Sequence, residues 1–162
     1  MNKTLRLSAI AAALASSTVV AEDVEVITVT ASRTPTQIDQ LSSSLSVITQ
    51  EQLAGYGQDF LADILRNIPG LAVSRNGGVA GLTQVRVRGS EANHILVLVD
   101  GVEVNDVAQG SEFNFASLNV ADIERVEILR GPQSALWGSG AIGGVINIIT
   151  KTGEGDLSVA TG

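Results

Sequence analysis

The chain contains no cysteine, which excludes a disulfide framework and any thiolate metal site. His94 is its single histidine, so a two-histidine metal site cannot form within one chain; beside an apolar run it reads as a structural hydrogen-bonder. Aromatic residues make up 3%, too few for platforms that stack nucleic-acid bases. Basic residues number 10 against 17 acidic ones, and the net charge of −7 disfavours a phosphate backbone as partner. Catalytic signatures are missing as well: neither a G-x-S-x-G nucleophile elbow nor an H-E-x-x-H pair occurs. Glu103, Asp106 and Glu112 supply carboxylates without the spacing of a calcium loop. Asp59 and Asp63 share a helix face, where the helix dipole accounts for them without acid–base chemistry. The reading is a non-enzyme with no cofactor and no metal.

What is present fits one domain with a modest core, 162 residues without repeats or low-complexity tracts. Residues 1–21 read as a signal peptide. Lys3 and Arg6 form its positive start, residues 7–15 a short apolar run, and Val19, Val20 and Ala21 the small residues before a cut. That run is shorter than the roughly 20 apolar residues needed to span a bilayer. Export and cleavage after Ala21 are expected, leaving 8 basic against 17 acidic residues from Glu22 onward, a net charge of −9.

Residues 22–33 are β-prone and free of glycine and proline. Such a segment near a terminus is either an ordinary first strand or one that adds itself to an exposed sheet edge. A polar linker follows at 34–44. Leu45 to Ile48 reads as a strand, and Thr49 as the N-cap of a short helix at 50–54. The clearest helix is 59–68, where Phe60, Ile64, Leu65 and Ile68 share an apolar face and Pro69-Gly70 stops the element. Asp59 and Asp63 lie early in it and Arg66 late, in agreement with the dipole. A strand at 71–74 and a glycine-bearing loop at 75–84 come next. Residues 85–89 then alternate, placing Arg86 and Arg88 on one face of a strand. An apolar run at 95–99 meets Asp100-Gly101, the strongest short hairpin signal, before a second arm at 102–105. Phe113, Phe115 and Leu118 are expected to anchor the turn that leads to Ile123.

The stretch 124–150 organises the rest. It opens with an alternating strand at 125–130, stopped by Gly131-Pro132. Residues 133–137 suit one helical turn, and 145–149 form a β-branched strand apolar enough for burial on both faces. Between them Gly138, Gly140 and Gly143 match the spacing of a dinucleotide fingerprint. That fingerprint needs a strand directly before it and a helix after it; here a turn precedes and a strand follows.

The succession of strand, Arg-Gly-Pro, small-residue turn, Trp-Gly, glycine run and Val-Ile-Asn-Ile-Ile-Thr resembles the end of the plug domain of TonB-dependent outer-membrane receptors. Asp63, Leu65, Ile68, Pro69 and Gly70 resemble a second signature of that family. Glu25, Val26, Ile27, Thr28, Val29, Thr30 and Ala31 resemble its TonB box. The likeness runs from Glu25 to Thr152, and within the family it is nearest the cobalamin transporters. It implies an α+β fold, a small mixed β-sheet with short helices, divided as signal peptide (1–21), TonB box and extension (22–34) and plug (35–152). It implies pairing of the box with TonB, energised through ExbB and ExbD. It also implies that Arg86, Arg88, Glu127 and Arg130 join an ion-pair network with the wall of a β-barrel, and that Leu82, Gln84, Glu91, Gln109 and Gly110 face the ligand. Cobalamin or an iron siderophore would be that ligand. Glu91, Gln84 and Gly110 depart from the cobalamin pattern.

Receptors of this family enclose the plug in a barrel of about 22 strands. Leu157 and Val159 could open one such strand within 153–162, and the 22-stranded barrel itself is absent. The expectation is an outer-membrane receptor plug, truncated and not transport-competent alone. The alternatives are a free-standing periplasmic TonB-binding module, or a small-ligand module using the loops at 75–84 and 105–112.

Overall fold

A computed structural model of the chain describes residues 28–29, 36–37, 44–78 and 80–151. The main element is a five-stranded mixed sheet built from β3 (Leu45–Thr49), β6 (Ile95–Val99), β7 (Val102–Glu103), β8 (Ile123–Arg130) and β9 (Gly144–Thr150). Their spatial order is β3-β8-β9-β6-β7, with β6 and β9 parallel and the other neighbours antiparallel. A separate antiparallel ribbon joins β4 (Leu71–Arg75) to β5 (Thr83–Val87). Short helices complete the α+β fold: α1 (Gln50–Gly55), α2 (Leu61–Leu65) and α3 (Ser134–Trp137), with 3-10 turns between. No closed barrel occurs among the described residues.

The β-branched run of β9 takes the centre because both its faces can be covered. Ile146 and Ile148 point to one side with Ile48, Ile95, Val97, Val126 and Ile128; α2, Leu53, Val85, Val87 and Phe115 close over them. Each such side chain contributes about 2–3 kcal/mol through its removal from water. Val145 points to the other side with Leu96, Leu98 and Leu129, against Ala141 and Trp137. Phe115 is buried and meets Phe113 edge-on at 4.9 Å, with Leu118 packed nearby, so the expected aromatic anchor forms.

The β6–β7 hairpin forms as its Asp-Gly pair requires, with φ of 51° at Asp100 and 81° at Gly101. The Asp100 carboxylate also accepts from the Thr150 amide at 2.9 Å and the Thr150 hydroxyl at 2.7 Å, tying the hairpin turn to the end of β9. Thr49 caps α1 with a full capping box, its side chain accepting from the Gln52 amide while Gln52 accepts from the Thr49 amide.

Two expectations need correction. The helix expected at 59–68 is confined to Leu61–Leu65. Phe60 is extended and bridges Asn119, and the Asp59 carbonyl accepts from Val120, so pairing with a distant loop takes the first turn. At the other end the Asn67 and Ile68 amides donate to Ile64 and Leu65, a tighter winding that Pro69 terminates. The strand expected at 85–89 runs instead from Thr83 to Val87. Arg88 leaves it at φ 51° because its amide turns back to the Gly70 carbonyl at 2.8 Å, so Arg86 and Arg88 do not share a strand face.

Candidate functional site

Four regions hold the residues singled out from the sequence. The first is the N-terminal strand. Thr28–Val29 (β1) pairs antiparallel with Thr36–Gln37 (β2), Thr28 opposite Gln37 and Val29 opposite Thr36. Glu25, Val26, Ile27, Thr30 and Ala31 lie outside the described residues, as do the signal peptide and residues 153–162.

The second region is a loop cluster that gathers Leu82, Gln84, Gln109 and Gly110. Its organiser is Asn105, which accepts from the Val97 amide at 2.7 Å and donates to the Ile95 and Ser111 carbonyls, each at 2.9 Å. Beyond it, Asp106 accepts from the Ala108 amide at 2.9 Å and from the Gln109 side chain at 2.7 Å. Gly110 and Ser111 adopt φ of 76° and 62°, which lets the Asp106 amide reach the Glu112 carbonyl. The Gln84 side chain donates to the Glu112 carboxylate through Nε2, and the Asn114 side chain accepts from the Thr83 backbone amide at 2.9 Å, joining this loop to the ribbon. A cleft of about 230 Å³ lies between them, lined by Leu82, Val104, Asp106, Gln109, Glu112, Phe113 and Asn114. Glu91 is not part of that lining. It is exposed, and precedes the 3-10 turn Ala92–His94, where His94 supplies its carbonyl to Gly143 at 2.8 Å.

The third region is an open cleft of about 790 Å³ beside β3 and α1, with Ile68, Pro69 and Gly70 on its far wall and both Arg88 and Arg130 in its lining. Among the described residues neither arginine forms an ion pair. The Nε of Arg130 and that of Arg86 are buried without a hydrogen-bond partner, although Arg86 reaches Gln84 through Nη2 at 3.4 Å. Burial holds the Arg130 guanidinium below its ordinary range, and repulsion from Arg88 lowers it further.

The fourth region is the sheet interior. Glu127 is fully buried on β8, beside Asn147 of β9, whose side-chain Nδ2 donates to its carboxylate at 3.2 Å. Arg125 contacts Glu127 at 3.2 Å and Glu124 at 2.6 Å. The structure thus brings Arg88 and Arg130 together and turns Glu127 away from them into the sheet. Sequence reasoning missed Asn105 and Asn114, and weighed Glu112 only as a calcium ligand. The two asparagines carry a usable signal, since asparagine at loop entrances often accepts backbone amides; no local pattern pairs Glu112 with Gln84.

Over residues 37–145 the sequence matches the family described as TonB-dependent Receptor Plug Domain. It is 38% identical to the vitamin B12 transporter BtuB of Photobacterium profundum, over 100% of this chain and 27% of that protein. It is 39% identical to the vitamin B12 transporter BtuB of Vibrio vulnificus, over 80% of this chain and 21% of that protein. The chain therefore spans about a quarter of the length of these curated relatives. Among solved structures, the siderophore receptor PirA from Acinetobacter baumannii superposes with a TM-score of 0.56 at 34% identity, covering 68% of this chain and 18% of that one. A ferric enterobactin receptor mutant (PfeA) from Pseudomonas aeruginosa in complex with enterobactin gives 0.56 at 31% identity, covering 69% and 18%.

Proposed function

The chain belongs to the TonB-dependent receptor plug domain family, a non-enzymatic family of outer-membrane transport receptors, and from that premise we propose that it is the gate of a receptor for cobalamin uptake. The observation that carries this reading is the 38% identity to a vitamin B12 transporter across the whole of this chain. In this reading residues 1–21 direct export, and Glu25 to Ala31 are the strand on which TonB pulls, energised through ExbB and ExbD. Leu82, Gln84, Gln109 and Gly110 present the ligand-facing apex, with Glu91 at its margin. In this reading Arg86, Arg88 and Arg130 meet carboxylates of the barrel wall, and the inward Glu127 braces the strand that carries Arg130. The apex cleft supports a neutral corrinoid over an anionic ferric siderophore, since its lining holds Asp106 and Glu112 and no basic residue.

A chimera tests this. Residues 22–152 replace the plug of a vitamin B12 transporter, and radiolabelled cobalamin uptake is measured in cells. Uptake should be retained, and deletion of residues 23–31 should abolish it while surface binding of cobalamin persists. Uptake that survives the deletion refutes the assignment of the box. A ligand-binding role without a barrel is the second reading, favoured by the same apex cleft. At about 230 Å³ that cleft is smaller than the usual ligand pocket of 300–1,000 Å³. The isolated domain should therefore show no submicromolar affinity for cobalamin by calorimetry.

A further inference from the structure

Asn76-Gly77 is the single Asn-Gly pair in the chain. An asparagine before glycine is open to attack on its own side chain: the following backbone nitrogen adds to the carboxamide carbon, and glycine puts no β-carbon in the way. A fold prevents this by occupying that nitrogen or by holding the carboxamide. The other described asparagines are guarded so. The amides that follow Asn67, Asn93, Asn105 and Asn119 donate to backbone carbonyls. The side-chain oxygen of Asn114 is held by the Thr83 and Ala116 amides, and Asn147 donates to Glu127 inside the sheet. Asp100-Gly101, which can cyclise in the same way with loss of water, is guarded twice. Thr150 holds its carboxylate, and the Gly101 amide donates to the Asn147 side chain at 3.4 Å.

Asn76 has neither guard. It is exposed, as is Gly77. Among the described residues its carboxamide meets no hydrogen-bond partner, and the Gly77 amide meets no acceptor. Gly77 has a φ of 89°, and a β-carbon there or on Gly78 would meet nothing within 4 Å, so a ring has room to close. We propose that Asn76 is a site of spontaneous deamidation, which converts it to aspartate and isoaspartate while the domain stays folded. The Gly77 nitrogen bonds to Cγ of Asn76, the Cγ–Nδ2 bond breaks, and Nδ2 leaves as ammonia with the proton that the Gly77 nitrogen gives up. Water then opens the succinimide, at Cγ to give aspartate or at the backbone carbonyl to give isoaspartate. In isoaspartate the former Asn76 carbonyl is a carboxylate, and the main chain runs through an added methylene. That carbonyl oxygen lies so near Gly81 that a β-carbon on Gly81 would sit 1.9 Å from it, and the Asn76 amide donates to the Leu82 carbonyl at 2.9 Å. The product therefore forces open the turn that seats Leu82 on the apex cleft. Its bearing on ligand choice rests on the function proposed above; the chemistry does not.

The test ages the purified mature chain in neutral buffer, folded and, in parallel, unfolded in guanidinium, with circular dichroism to verify each state. Peptide mapping with electron-transfer fragmentation separates the two acids. At residue 76 a mass gain of about 1 Da is expected in both samples, at rates within about threefold of each other and with isoaspartate the larger product. At Asp100 isoaspartate should form in the unfolded sample and be suppressed at least about tenfold in the folded one. Gly77→Ala should slow the reaction of Asn76 at least about tenfold in the unfolded sample, where a folding defect cannot matter. Stronger suppression at Asn76 in the folded chain overturns the proposal. So does a product that is aspartate alone, which would bypass the ring, and so does an Asp100 equally reactive in both states, which would remove the guarding contacts as the cause.

Discussion

Gly144 stands where β9 begins, opposite Arg130, at a φ of 152°. A β-carbon there would sit 2.5 Å from the Leu129 carbonyl oxygen, a backbone atom of the neighbouring strand. Gly144→Ala therefore meets two costs. The backbone angle, open to glycine and strained for other residues, costs about 1–3 kcal/mol. The forced parting of β8 from β9 loses at least one ladder bond, worth about 1 kcal/mol. The sum is about 3 kcal/mol. Two other glycines isolate these terms. Gly57 has a φ of 62° with nothing within 4 Å of an added carbon, so Gly57→Ala should cost about 1 kcal/mol through the angle alone. Gly55 closes α1 with neither a positive angle nor a contact, so Gly55→Ala should stabilise by about 0.5 kcal/mol. With a urea slope of about 1.5 kcal/mol/M, the midpoints should move by about −2 M, −0.7 M and +0.3 M respectively. Urea titration of the purified mature domain, followed by far-UV circular dichroism and Trp137 fluorescence, measures this order. A Gly144→Ala midpoint equal to that of Gly57→Ala would show that the close approach of β8 and β9 is wrong.

Three further outcomes follow from the same structure. Glu127→Ala strips the buried carboxylate from Arg125 and Asn147 and should cost about 3–5 kcal/mol, with Glu127→Gln intermediate, in the same titration. Asn105→Ala removes the acceptor of the Val97 amide, and hydrogen exchange at that amide should accelerate about tenfold while the β8–β9 amides stay unchanged. In the chimeric receptor, Asp106→Asn with Glu112→Gln should weaken the preference for cobalamin over an anionic siderophore, measured by competition for surface binding; an unchanged preference would remove charge as its basis.

Much of this architecture was legible from local patterns. Asp100-Gly101 named its own turn, Thr49 its own cap, and the β-branched run at 145–149 its central place, because each depends on neighbours within a few residues. The helix at 59–68 failed where Phe60 and Asp59 are drawn out by Asn119 and Val120, a pairing that no periodicity encodes. Alternation at 85–89 suggested two arginines on one face, whereas the bond from Arg88 to Gly70 bends the chain after Val87. For the site, the apex residues could be marked one by one, but their gathering depends on Asn105 reaching back to β6. The inward turn of Glu127 follows from which face of β8 meets Asn147, and strand register is a long-range property.

The tie between Asp100 and Thr150 has a mechanical meaning. Together with the bond from the Lys151 amide to the Asp122 carbonyl, it rivets the last described strand to two loops that lie far back in the sequence. Tension on the polypeptide beyond residue 151 would arrive at that rivet and spread into β6 and β8 at once, so the departure point keeps its heading. A load at the opposite terminus enters through β3, which among the described residues has a sheet neighbour on one flank. The two ends of the domain therefore differ in stiffness: one is anchored, the other built to yield.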